Sequence, residues 1–339
     1  MNHPSPRRLL IFGCGYLGQS VAARALEAGW EVSALTRNAA KAAALAASGV
    51  AVVQAELQSD SWHDALAGEW TSVVNCVSSG GGGVEGYRHS YLDGMHSINR
   101  WLANTGTKVG TFVYTSSTSL YTQSGDVLVD EDAPLVNLSA TASILREAEE
   151  VVETLPPPTR TFILRLAGIY GPGRHHLLDQ LRAGNTIFKG TGRSLLNLIH
   201  RDDAAAAIMK AIGKAEGRGQ KAEVAVTEEC SLQIPSRKST ASSCDESVRT
   251  RIYNVADGHP ANRVEIAAWL AAQLQLPEPQ WLPEVDIATP GVTPPARLFR
   301  GGSDGPSRRI AITRIRQEMG WEPQYAGYQA GYGAILRGE

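Results

Sequence analysis

The first 170 residues alternate short apolar runs with stretches whose apolar positions recur at helical spacing. Leu9-Leu10-Ile11-Phe12 leads into a segment in which Val21, Ala22, Ala25 and Leu26 share one helical face before Gly29 ends it. Further apolar runs occupy Glu31 to Leu35, Val50 to Ala55, Ser72 to Val77, Val109 to Thr115 and Thr161 to Leu166. Helix-like stretches at Ala39 to Ala47, Tyr87 to Asn104 and Ala140 to Leu155 stand between most of them. Near-continuous apolar strands are buried on both faces, and strands joined by helices pair in parallel through right-handed crossovers. The pattern predicts an α/β fold built on a doubly wound parallel sheet.

After Tyr170-Gly171-Pro172-Gly173 the alternation loosens, although Leu195 to Ile199, Asp202 to Ile212 and Ile252 to Val255 still read as strand, helix and strand. Residues 1–172 are expected to form the sheet domain, with segments near 195–212 and 251–258 returning to it. Residues 173–339 are expected to form a smaller, largely C-terminal domain over the substrate. A Ser-, Lys-, Glu- and Gly-rich stretch at about 214–251 lacks the apolar density to offset its ordering entropy and is expected as a mobile surface insertion. The Pro/Gly-rich stretch from Pro277 to Pro306 should run over the surface, ahead of two short helices around Ile312 to Met319 and Gly327 to Leu336.

Composition narrows the function classes. The 339 residues carry 32 Lys+Arg against 34 Asp+Glu, a formal charge of −2 that gives no footing to a dedicated nucleic-acid binder. The Arg7-Arg8 start of a signal-like run is broken by Gly13, Gly15 and Gly18, and no stretch approaches the roughly 18 apolar residues of a membrane span. The four cysteines show no metal-type C-x-x-C pairing, and a chain of this length needs no disulfide staples, so a reducing cytoplasm fits best. Adjacent His175 and His176 point in different directions and lack a third ligand at a fitting spacing, so no metal is expected. The expected partner is a small-molecule substrate.

Gly13-Cys14-Gly15-Tyr16-Leu17-Gly18 has the G-x-G-x-x-G spacing between a strand and a helix. In that setting Gly13 allows the tight turn, Gly15 admits a pyrophosphate to the backbone, and Gly18 lets helix pack closely on strand. The fold is therefore expected to be of the Rossmann type, with a dinucleotide on this loop. NAD binders place an acid after the second strand for the ribose hydroxyls. Here Thr36-Arg37 stands at that point with no carboxylate. Arg37 can pair with a 2′-phosphate that an acid would repel, which favours NADP while leaving NAD possible. Glu56, ending the third strand, stands either beside the adenine or as an exposed carboxylate.

Three further segments, in order with the glycine loop, carry a resemblance. They are the run Phe112 to Tyr121 (FVYTSSTSLY), Leu164 to Gly173 (LRLAGIYGPG) and Ile252-Tyr253-Asn254-Val255. With them the sequence resembles the extended short-chain dehydrogenase/reductase superfamily, in its NAD(P)-dependent epimerase/dehydratase branch, over nearly its whole length. His200-Arg201-Asp202-Asp203 and Gly320-Trp321-Glu322-Pro323 are similar to that branch's cleft-side and C-terminal motifs. The resemblance implies a cofactor domain, a smaller domain over a substrate that is often a nucleotide sugar, and an active-site serine at Ser117. It also implies a Tyr-x-x-x-Lys pair on the next long helix, in which the lysine lowers the tyrosine's pKa for acid/base work. Aligning Ala148-Glu149 with the branch's Ala-Glu puts Thr141 and Leu145 at those positions, and 135–153 contains neither Tyr nor Lys. Gly94 falls near the branch's helix asparagine. The chain thus resembles the atypical short-chain dehydrogenases, specifically a bacterial YeeZ-like clade.

Tyr121, four residues beyond Ser117, either replaces the missing acid/base or packs near the cofactor. Two readings follow for the whole chain. It is an NADP-dependent oxidoreductase or epimerase-like enzyme using Ser117 with Tyr121, bound water or the substrate's own groups, or else an NADP(H)-binding sensor or scaffold without turnover. The retained Ser117 and a full substrate domain lean toward the enzyme.

Overall fold

A computed structural model of the chain describes residues 6–156, 159–216, 250–282 and 305–339. Seven strands form one all-parallel sheet: β1 (Arg8–Phe12), β2 (Glu31–Thr36), β3 (Ala51–Gln54), β4 (Glu69–Asn75), β5 (Lys108–Ser117), β6 (Arg160–Leu166) and β7 (Thr250–Val255). Their order across the sheet is β7-β6-β5-β4-β1-β2-β3. Consecutive strands therefore run outward from β1 in one direction and then, from β4, in the other. The break between β1 and β4 is the switch point where such sheets open a crevice at their carboxyl ends. Register brings those ends level, pairing Phe12 with both Leu35 and Asn75, and Ser117 with Leu166.

The helices are α1 (Tyr16–Glu27), α2 (Ala39–Ala47), α3 (Gly94–Asn104), α4 (Ala140–Glu153), α5 (His176–Arg182), α6 (Arg201–Glu216), α7 (Arg263–Gln273), α8 (Thr313–Met319) and α9 (Tyr328–Arg337). Side chains of a strand alternate between faces, so Leu9 and Ile11 face α1, α6 and α8 in one core while Leu10 and Phe12 face α3 and α4 in another. Both faces are thus covered, which is why these strands read as unbroken apolar runs. Ser139 caps α4 by accepting a hydrogen bond from the Ala142 amide, and Asn262 with Glu265 closes a reciprocal capping box on α7. A third apolar cluster joins α5, α7 and α9 through Leu178, Leu181, Ile266, Leu270 and Ile335, apart from the sheet.

Several boundaries differ from the pattern. The stretch expected as a loop at about 214–251 begins in α6, which runs to Glu216, and ends in β7, which starts at Thr250; residues 217–249 between them lie outside the described residues. Of the stretch expected over the surface from Pro277, Gln280–Leu282 pairs in parallel with Ile187–Lys189, and 283–304 lie outside the described residues. Helical structure before α3 starts at Gly83, earlier than expected, and passes through one π-helical turn, Arg88–Asp93. Among the described residues no helix is long and apolar enough to cross a membrane.

Candidate functional site

A cleft of about 640 Å³ lies across the carboxyl ends of β1 to β6, over the switch point. Its floor is the turn after β1. Gly13 has φ +73°, and a Cβ there would stand 2.6 Å from the Val77 backbone, so no other residue fits. A Cβ on Gly18 would meet the Gly13 carbonyl at 2.9 Å and Ile11 Cγ2 at 3.3 Å, which is the close helix-on-strand packing the spacing predicts. On Gly15 the nearest atom to such a Cβ is 3.9 Å away, so that residue leaves its cleft side open. No side chain caps the start of α1, and no acid lies in its first turn. The unpaired amides and the positive end of the helix dipole are free for an anion.

Tyr16, Leu17, Thr36, Arg37, Glu56 and Ser117 all line this cleft with Gly13 and Gly15, while Gly18 lies beneath as packing. The Tyr16 hydroxyl donates to the Pro172 carbonyl at 3.0 Å, and its ring lies between the Arg174 and Arg201 guanidiniums, 5.6 and 5.3 Å from its centroid. Arg37 is exposed, reaches the Gly80 turn, and has no carboxylate partner among the described residues. Lys41, one turn into α2, lines the same end and was not singled out by sequence; its place four residues after Arg37 was the available signal. Glu56 Oε2 accepts from Gln58 Nε2 at 2.7 Å and lies 4.0 Å from His89 Nε2, so it belongs to a small polar chain at that end of the cleft.

At the other end, Ser117 Oγ accepts the Ser119 amide at 3.1 Å, leaving its own proton to donate. Beside it Ser116 Oγ is buried without a partner among the described residues, a second hydroxyl the motif did not mark. The thiols of Cys14 and Cys76 border the cleft as free cysteines. Burial pushes Cys14 up to about 12 against the pull of Lys41, and pushes Cys76 up as well, so neither offers a thiolate.

Tyr121 is not among the residues that line this cleft. It is buried, its hydroxyl donates to Asn254 Oδ1 at 2.7 Å, and it accepts from Arg165 Nη1 at 3.0 Å. Arg165 in turn makes two hydrogen bonds to Glu149, at 2.7 and 3.0 Å, with both residues buried. The phenol is thereby tied into a structural network, and burial raises its pKa above the ordinary value despite Arg165. On α4, Leu145 is buried among Leu120 and Ala142, and Thr141 makes its side-chain contact with Ser139. Two tyrosines of the preceding helical stretch, Tyr87 and Tyr91, pack against that apolar cluster. Gly94 is tight on Leu57, whose Cδ2 would be 2.8 Å from an added Cβ.

Beyond the cleft, Tyr170 and His200 are buried with their rings 5.4 Å apart, edge to face. The Tyr170 hydroxyl, His200 Nε2 and Asp257 Oδ2 are all buried without partners among the described residues. Burial pushes the Asp257 carboxyl up to about 7. No group of three His, Cys, Asp or Glu gathers among the described residues in a way that would hold a metal ion.

Comparison with known proteins agrees with this geometry. The model of the NAD dependent epimerase/dehydratase family matches residues 9–226. Protein YeeZ of Escherichia coli (strain K12) is 28% identical over 329 residues, covering 94% of this chain and 96% of its own. Among solved structures, a conserved protein of unknown function from Silicibacter pomeroyi DSS superposes with a TM-score of 0.67 at 22% identity, covering 98% of this chain and 99% of that one. WbmG of Bordetella bronchiseptica, solved with NAD and UDP, superposes with a TM-score of 0.69 at 17% identity, covering 98% and 94%.

Proposed function

The chain belongs to the NAD dependent epimerase/dehydratase family, and we propose that within it the protein is an NADP(H)-dependent oxidoreductase or epimerase acting on a small polar substrate, a sugar or nucleotide sugar. The observation that carries the cofactor choice is Arg37, which enters the cleft at the end of β2 with no carboxylate partner among the described residues. Lys41 adds a second cation at the same end. Together they suit the 2′-phosphate that distinguishes NADP from NAD, since guanidinium–phosphate hydrogen bonds are short and charge-assisted. The open backbone at Gly15 and the uncapped start of α1 suit the pyrophosphate.

A nicotinamide dinucleotide bound here supplies a hydride donor or acceptor. The chain's own part is to hold its phosphates on backbone amides and cations, and to present the Ser117 hydroxyl to an oxygen on which negative charge develops. A donor aimed at developing charge strengthens in the transition state and lowers the barrier. For the substrate, the reading draws on WbmG, which was solved with UDP.

Calorimetric titration tests the cofactor assignment. NADP⁺ should bind more tightly than NAD⁺. Arg37→Asp should weaken NADP⁺ about 10- to 100-fold, the worth of one to two charge-assisted contacts, and spare NAD⁺. Tighter binding of NAD⁺ by the unmodified chain would overturn the assignment.

A further inference from the structure

We propose that Tyr91 is the proton donor of this site, serving a reduction in which a substrate carbonyl oxygen takes up the phenolic proton. The inference rests on reading the cleft as a nicotinamide dinucleotide site and adds the residue that the chemistry there requires.

Elimination comes first. Two tyrosines line the cleft, Tyr16 and Tyr91, and the Tyr16 hydroxyl is already given to the Pro172 carbonyl. Tyr121 is held by Asn254 and Arg165. His89 stands with Gln58 and Glu56 at the Arg37 end. The two cleft thiols are held protonated by burial. Helix α4 offers only Thr141 and Leu145 where a tyrosine and a lysine would be needed.

The placement of Tyr91 is positive as well. It packs on the cluster of Leu120, Ala142 and Leu145, so it stands against the part of α4 that holds Ala142 and Leu145, and it also lines the cleft. Tyr87 braces it from the turn before, with ring centroids 5.2 Å apart. It also sits on the π-helical turn Arg88–Asp93. Such a turn sacrifices regular hydrogen bonding to redirect side chains and recurs at functional sites.

The titratable groups facing the phenol are Tyr87 on its own stretch, Tyr114 on β5, and Arg174 on the cleft lining, while α4 contributes none. Burial, with Tyr87 beside it, pushes the phenol up to about 12, and its hydrogen bond at the Ser79 backbone and then the Arg174 charge pull the other way. A phenol this weakly acidic keeps its proton near neutrality, which makes it a poor base and an available acid. Its place on the cleft lining suits the part of the acid in a reduction. A hydride from a dihydronicotinamide forms the new C–H bond at the carbonyl carbon, the C=O π pair moves to oxygen, and that oxygen takes the proton from Tyr91 Oη. The carbonyl is reduced to an alcohol, the dinucleotide is oxidised, and water returns the proton to the phenolate.

The test uses the full chain with 3-fluorotyrosine throughout, followed by ¹⁹F NMR, with Tyr91→Phe identifying the Tyr91 signal. Saturating NADP⁺, whose ring is cationic, should shift that signal and lower the phenol's titration midpoint about tenfold in acidity; NADPH, whose ring is neutral, should shift the signal without that change. The Tyr91→Phe chain should keep its NADP⁺ affinity within about threefold, and should lose about 10²-fold or more in kcat for NADPH-dependent carbonyl reduction. NADP⁺ that binds without moving the Tyr91 signal overturns this role alone. A Tyr91→Phe chain that reduces a carbonyl at the unmodified rate does the same. Failure of NADP⁺ to bind at all overturns the cofactor reading, and this role with it.

Discussion

The two walls of the cleft use the same residue types in opposite ways. Behind β5 and β6, Arg165 and Tyr121 are buried, and each polar contact they make is internal, to Glu149 or Asn254 or to one another. Across the opening, Arg37 and Tyr91 face the cleft, and Arg37 has no carboxylate partner among the described residues. An arginine and a tyrosine are chemically capable in both places. What separates the two walls is whether the side chain is closed into an internal network or stands at the cleft lining.

The largest effect should come from breaking the committed wall. Glu149→Ala leaves the Arg165 guanidinium buried without its anion, and removal of one member of a buried ion pair costs about 3–5 kcal/mol. Urea denaturation should show that loss, with the midpoint falling accordingly. A loss below about 1 kcal/mol would mean that the network is not structural.

A smaller effect is expected where buried polar groups lack partners. Asp257 is buried, its Oδ1 accepts the His259 amide at 2.9 Å, and its Oδ2 has no partner among the described residues. With its folded pKa pushed up to about 7, it keeps a proton through a range in which the unfolded chain has lost it. Stability from this group is therefore full in acid and falls as pH rises toward 7. Asp257→Asn keeps an acceptor for His259 and never ionises. It should gain about 1–3 kcal/mol over the unmodified chain at pH 8 and much less at pH 4, read from denaturation midpoints at the two pH values. An equal difference at both would refute the assignment.

The smallest effect sharpens the contrast between the two phenols. Tyr121→Phe deletes a buried hydroxyl that serves Asn254 and Arg165, and should cost about 1–2 kcal/mol of stability while leaving NADP⁺ affinity unchanged in calorimetry. A specific loss of cofactor affinity at unchanged stability would return Tyr121 to the site.

Much of the architecture was legible along the chain. Apolar runs separated by helical faces specify a parallel sheet because both faces of each strand must be covered, and Leu9 to Phe12 read that way for that reason. The glycine loop was equally legible, since Gly13 and Gly18 answer to contacts within a turn and its adjoining strands. Arg37 could be placed at the end of β2 by counting residues. The π-helical turn could not be foreseen, because nothing in Arg88 to Asp93 departs from an ordinary helical pattern.

The sequence by itself determined the sheet, the glycine turn after β1 and a helix α4 that carries neither tyrosine nor lysine, all of which depend on local periodicity or on residue identity. Only the tertiary structure decided which hydroxyl is available. Tyr121 is claimed by Asn254, 133 residues away, and Arg165, 44 residues away, whereas Tyr91 lines the cleft while packing against Leu145. A side chain's hydrogen-bonding capacity is local, but the partners that use it up are brought by the fold from distant parts of the chain.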